Sequence, residues 1–238
     1  MSTVQKLSLA LIGTAVVLMS ANPAGAVSLT QGGSIPVAGE GQYTNIQGAT
    51  TINFNDGTAT DPNGFVTYST TNGIVQGNVD SQYATPFGDT TKYLTVAPQG
   101  AQANGQNIAG NTGNETITFA KAVDYFGLYW GSIDAYNFVD VYSGGNLLAT
   151  FNGANVPGAP ANGEQSGSAN NVYVNLLANS SIGETFDKVV LRSTGLAFET
   201  DNHSYRLASV PEPTATLGLL AFGVISAGSF VKRKLKLV

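Results

Sequence analysis

The sequence predicts an all-β fold, an antiparallel β-sandwich or jelly roll built from the middle of the chain. Three observations predict it. Asn-Gly and Gly-Asn pairs recur at Asn63-Gly64, Asn72-Gly73, Gly77-Asn78, Asn104-Gly105, Gly113-Asn114, Gly145-Asn146, Asn152-Gly153 and Asn162-Gly163, each a place where the chain tolerates positive φ and turns. Between them lie short runs rich in β-branched and aromatic residues, spaced by the roughly 8 to 12 residues that sandwiches and jelly rolls show. No run between the turns carries the 3.6-residue apolar period of a helix.

At the N-terminus, Lys6 precedes an apolar stretch at 7–19, and Ala24-Gly25-Ala26 supplies the small residues that a signal peptidase requires. Residues 1–26 therefore read as a signal peptide cleaved after Ala26, since 13 apolar residues are short for a membrane span. Residues 27–50 are rich in Gly, Gln and Thr and read as a flexible arm or an edge strand. The ectodomain proper, 51–209, carries strand-like runs at 51–55, 64–69, 93–97, 115–119, 125–132, 138–142, 147–151, 172–176 and 188–193. One hairpin is explicit: Val139 and Val141 share an inward face, Ser143-Gly144-Gly145-Asn146 turns the chain, and 147–151 returns. In the preceding run Phe126, Leu128 and Trp130 fall on one face, expected to be core. Tyr125, Gly127, Tyr129 and Gly131 fall on the other, where Tyr125 and Tyr129 offer a candidate ligand surface for stacking on a sugar ring. The stretch 156–171 loses its hydrophobic residues and reads as a long loop of the kind that carries binding residues.

Charge and composition exclude several functions. Between Val27 and Ser209 there are 14 acidic and five basic residues, a net charge of −9, without the clustered Lys and Arg that nucleic acid or an anionic lipid surface needs. The absence of cysteine removes a disulfide framework, so the exported part rests on its hydrophobic core. With His203 the single histidine, neither a zinc site of His and Cys ligands nor a Cys-His nucleophile can be assembled. His203 stands in Thr200-Asp201-Asn202-His203-Ser204, but neighbours on an extended chain point to opposite faces, and no G-x-S-x-G elbow is present. The expectation is a protein that is not an enzyme.

The C-terminus is the most informative segment. Val210-Pro211-Glu212-Pro213 is followed by an uncharged apolar run at 214–231 and then by the basic residues Lys232, Arg233, Lys234 and Lys236. As a helix, those 18 residues cover about 27 Å, one hydrocarbon core. The basic cluster holds the end in the cytoplasm and leaves the ectodomain outside. Both prolines disfavour helix before them, so the motif is extended and accessible to a processing enzyme. Motif, span and basic stop in this order resemble the PEP-CTERM sorting tail, 210–238, that exosortases recognise in bacteria exporting matrix material.

The ectodomain carries a resemblance too. Phe126-Gly127-Leu128-Tyr129-Trp130-Gly131-Ser132-Ile133-Asp134-Ala135-Tyr136-Asn137, with Phe186-Asp187-Lys188-Val189-Val190-Leu191 and Ala197-Phe198-Glu199-Thr200-Asp201-Asn202, is similar to exosortase-dependent surface proteins over most of 52–206. The last of these segments also resembles the closing strand of galactose-binding-like jelly rolls, which implies a structural calcium where first and last strands meet. Asp56, after the first clear strand, and Glu199 and Asp201, around the last, are the candidate ligands. Asp134, Asp140 and Asp187 are weaker ones. The resulting expectation is a surface or matrix protein with signal peptidase and exosortase as processing partners. It sits in the inner membrane through its C-terminal helix until processed, and acts by adhesion or contact with extracellular polysaccharide. The alternatives are a polysaccharide-active hydrolase using paired carboxylates and a purely structural coat protein.

Overall fold

Turns and short strands alternate through residues 27–209, the part of the chain that the computed structural model describes. The expected signal peptide lies outside the described residues, as do the tail residues Val210, Pro211, Glu212 and Pro213, the apolar run and the basic stop. The strands are β1 (Ser28–Gln31), β2 (Thr50–Ile52), β3 (Val66–Tyr68), β4 (Ile74–Gln76), β5 (Lys92–Val96), β6 (Gln102–Ala103), β7 (Gln106–Asn107), β8 (Asn114–Gly131), β9 (Asn137–Ser143), β10 (Asn146–Asn152), β11 (Val172–Leu177), β12 (Phe186–Ser193) and β13 (Phe198–Leu207). The fold is all-β, with antiparallel pairing between its strands. Among the described residues no helix is long and apolar enough to cross a membrane.

One strand organises the sheet. The first part of β8 pairs with β3 on one edge and β12 on the other, and β9 and β10 continue outward from β12. Its second part pairs instead with β11, which carries β1, and with β13. The far edge of β13 takes β5 at Phe198 to Thr200 and β2 at His203 to Tyr205. Two arms of sheet thus share β8, and Val123 at the bend faces both Phe186 and Leu207. Side-chain alternation changes phase there: Ile117, Phe119 and Val123 are buried before the bend, Phe126, Leu128 and Trp130 after it. A β-bulge at the bend accounts for the slip, because one extra residue reverses which face each later side chain takes.

The core lies between the arms. The Phe119 ring meets Phe126 at 5.9 Å, Phe186 at 6.2 Å and Tyr205 at 6.0 Å between centroids, so both arms contribute to one cluster. Val139 and Val141 are fully buried as the alternation predicts, and Gly144 and Gly145 both take positive φ in the hairpin turn between β9 and β10. Asp61 ties the chain entering β3 to β13: its Oδ2 accepts from the amides of Phe65 (2.6 Å) and Val66 (3.1 Å), and Tyr205 Oη donates to the same carboxylate at 2.9 Å. Asp61→Ala strands these donors in the interior and is expected to lower stability by about 3 kcal/mol in urea unfolding, with Asp61→Asn costing less. An Asp61→Ala protein as stable as its parent would remove this role.

Candidate functional site

Strand β13 is unusual in its burial, because residues 198–205 are buried on both faces. Phe198, Thr200, His203 and Tyr205 look into the core. The opposite face, with Glu199, Asp201, Asn202 and Ser204, is overlaid by two segments distant in sequence. A strap from Gly32 to Thr44 crosses β11 and β13, and a loop from Asn78 to Thr91 crosses β8 and β13. Asn202 is the hinge of this packing. It sits at φ 50° in the bulge between Asp201 and Ser204, a left-handed conformation that Asn tolerates, and its Nδ2 donates to Glu40 O (2.7 Å) and Gln42 O (3.0 Å) of the strap.

The overlay corrects the expected ligand surface. Tyr125 is 0% and Tyr129 is 2% exposed. Tyr125 Oη is within 2.7 Å of Thr44 Oγ1 on the strap and 2.9 Å of Asn175 Oδ1, and Tyr129 Oη donates to Phe87 O at 2.5 Å. Gly127 and Gly131 serve close packing instead of a bare sheet face. A Cβ on Gly131 would lie 2.9 Å from the Pro86 ring, and one on Gly127 would meet Tyr125 Oη and the Tyr173 ring. No sugar reaches either tyrosine while strap and loop are in place.

The calcium ligands are not brought together. Strands β2 and β13 do pair antiparallel, His203 opposite Ile52, but β2 ends at Ile52 and Asp56 lies in the exposed turn beyond. There its Oδ1 accepts from Thr58 N and Thr58 Oγ1, both at 2.8 Å, and these donors hold the carboxyl below its usual range. Glu199 and Asp201 are buried elsewhere, and among the described residues no group of three His, Cys, Asp or Glu side chains could hold a metal. Calcium asks for six to eight oxygens, and the set Asp56, Glu199 and Asp201 does not fit it. Of the weaker candidates, Asp140 is paired with Arg192 at 3.0 Å and Asp187 accepts from Gly144 N at 2.9 Å.

Asp201 has a different neighbour, Asp89, which the sequence did not single out. Thr91 Oγ1 lies 2.6 Å from Asp89 Oδ1 and 3.4 Å from Asp201 Oδ2. Burial, and then Asp89 beside it, raises the Asp201 carboxyl well above the usual carboxylate range, so Asp201 keeps its proton in the folded protein. His203 is likewise structural. Its Nδ1 lies 3.0 Å from Tyr68 Oη and its Nε2 2.9 Å from Thr200 Oγ1, and full burial pushes it down to about 3, which keeps it neutral.

What the overlay leaves open is a cleft of about 610 Å3 over the start of β13, within the roughly 300 to 1,000 Å3 of small-ligand sites. Residues Asn78 to Ala84 form one wall, Gln165 and the lip at Leu196 and Ala197 form the other, and Glu199 is at the floor. The wall is shaped by a bridge between Val79 and Tyr83 and by Asn78 Oδ1, which accepts from Thr85 N at 2.7 Å. Glu199 Oε1 accepts from Ala84 N at 3.0 Å, while Oε2 is buried without a partner. Burial, with a smaller contribution from the charge of Asp134, pushes Glu199 up to about 8, so it is an uncharged acid at neutral pH. Sequence reasoning named Glu199 for a different role and marked the loop 156–171, which delivers Gln165. Nothing in the sequence places the segment from Asn78 to Ala84 beside them, since Ala84 and Glu199, which meet there, are 115 positions apart. No family model, no curated protein and no solved structure matches the chain.

Proposed function

We propose that the chain is an exported, exosortase-sorted protein of the cell surface or extracellular matrix. Its all-β domain is a β-sandwich of jelly-roll kind, whose layers are the two arms joined by β8, and it makes contact with extracellular polysaccharide without catalysis. The tail Val210-Pro211-Glu212-Pro213, with its apolar run and its basic stop, supports the address. The observation that carries the contact reading is the cleft, whose walls present the Gln82 and Gln165 amides, the Tyr83 ring and the Glu199 carboxyl, the mixture of hydrogen-bonding groups and flat apolar surface that hydroxyl-rich rings require.

Two experiments test the two halves separately. Pro211→Ala with Pro213→Ala is expected to leave membrane insertion intact and stop processing of the tail, followed as the size of the mature chain; normal processing in that variant would sink the address. On a glycan array the exported protein is expected to be retained, with Gln165→Ala and Tyr83→Ala each weakening retention about tenfold, or roughly 1.4 kcal/mol. Silence across the array would favour a structural coat protein instead.

A further inference from the structure

We propose that the cleft over Glu199 receives the ammonium group of a cationic sugar, the hexosamine unit of an amino-sugar polysaccharide whose amines are free and not acetylated. This deepens the polysaccharide reading above and rests on it. The charge of the cleft points this way. Glu199 and Asp80 line it, and among the described residues no Lys, Arg or His does. The domain around it carries a net charge of −9, which concentrates cations at its surface and repels uronates.

The floor supplies the second observation. Glu199 is 2% exposed, and among the described residues its Oε2 has no hydrogen-bond partner, an uncommon state for a buried polar atom. Oε1 is already engaged by the Ala84 amide and Oε2 is shut off from solvent, so a guest reaches Oε2 as the Glu199 side chain turns toward the cleft. An ammonium is the group that gains most there: it donates to Oε2 and offsets the cost of a buried carboxylate, which a neutral hydroxyl does only weakly. Around it the Leu196 side chain, 42% exposed at the lip, and the Tyr83 ring suit the C–H face of a pyranose, while Gln82 and Gln165 suit its hydroxyls. The other titratable groups that face Glu199 are Asp134 and Tyr136 from the turn after β8, Tyr93 from β5, and Tyr83 and Asp80 from the cleft wall. None of them is a base that competes for the acid.

Binding has a defined proton balance. The Glu199 carboxylic acid gives its proton to solvent, the sugar ammonium keeps its own three protons, and a carboxylate to ammonium pair forms with no other bond made or broken. At about pH 6 the amine is charged and Glu199 is neutral, so each binding event releases about one proton.

Titration calorimetry of the full chain in detergent, in two buffers of different ionisation enthalpy, reads that proton directly on the unmodified protein. A glucosamine oligomer is expected to bind with about one proton released, and an N-acetylglucosamine oligomer of equal length to bind at least about tenfold more weakly with none released. Glu199→Gln is expected to abolish the release. Asp80→Asn, an exposed change at the wall, is expected to weaken the amine oligomer alone. Equal binding of both oligomers without proton release overturns the cationic reading and leaves polysaccharide contact standing. Binding of neither, together with silence on the array, overturns both. Trilysine binding with the same proton release, where the glucosamine oligomer fails, overturns the sugar in favour of a basic peptide.

Discussion

Between about pH 4.5 and 6.5 the domain is expected to be at its most stable, losing stability toward both alkali and acid. The alkaline limb belongs to Glu199. In the folded protein it holds a proton up to about 8, whereas the unfolded chain releases that proton around 4.5. Its contribution is therefore complete below 4.5 and is lost progressively as the pH rises to about 8, a loss on the order of 5 kcal/mol. Asp201 and Glu115, both raised chiefly by burial, steepen the same limb. The acid limb belongs to His203, kept neutral in the core. Its contribution is complete above 6.5 and is lost as the pH falls toward 3, because only the unfolded chain readily takes up the proton. The exposed carboxylates of Asp56 and Glu164, held ionised by hydroxyl and amide donors, add to that acid loss. Thermal unfolding followed by the fluorescence of Trp130, the single tryptophan and fully buried, measures both limbs. Glu199→Gln is expected to flatten the alkaline limb and leave the acid one. A parent protein whose melting temperature climbs steadily from about pH 5 to 8 would contradict the assignment.

The strap yields the second large effect. Gly41 has φ 68°, and a Cβ there would overlap the Tyr129 ring; Gly88 has a similar φ of 79° and nothing within 4 Å. Gly88→Ala therefore pays only for a left-handed alanine, about 1 kcal/mol, whereas Gly41→Ala adds a clash with a ring pinned by its hydrogen bond to Phe87 O, for a total of about 3 kcal/mol. Unfolding in urea gives both numbers. Hydrogen exchange is also expected to show the Tyr173 amide, whose acceptor is Gln42 Oε1 of the strap, losing protection in Gly41→Ala alone. Equal costs for the two substitutions would mean that the strap does not bear on Tyr129.

The hairpin of β9 and β10 was legible in the sequence because everything that specifies it is local: two adjacent glycines able to take positive φ, flanked by alternating residues. The same alternation divides β8 into two runs, because a bulge at the bend shifts the phase and a periodicity argument reads a phase shift as an interruption. Strand β13 escapes alternation altogether. Both its faces are covered, so Thr200, Asn202 and Ser204 are buried polar residues, bonded to His203, to the strap carbonyls of Glu40 and Gln42, and to Thr51 of β2, and its bulge at Asn202 interrupts the two-residue period. The misreading of Tyr125 and Tyr129 has the same cause: alternation says which residues share a face, not what lies on top of it. For the calcium set, the antiparallel pairing it required between the first clear strand, β2, and β13 is present, and the position of Asp56 relative to the end of β2 was what failed. The approach of Asp89 to Asp201 through Thr91, and the meeting of Gln165 with the cleft wall, depend on contact between remote segments that no local pattern encodes.

The run of β13 has a mechanical consequence. The cleft sits at its first residues, and its last residues lead to Ser209, where the chain continues toward the tail. Under the proposed function, a pull between a glycan in the cleft and an anchor beyond Ser209 would travel lengthwise along a single strand. That strand is hydrogen-bonded to β8 on one edge and to β5 and β2 on the other. Such a load shears many bonds at once and cannot unzip them singly. If the proposed tether holds, a domain loaded in this way would resist extraction by flow better than its equilibrium stability alone would indicate.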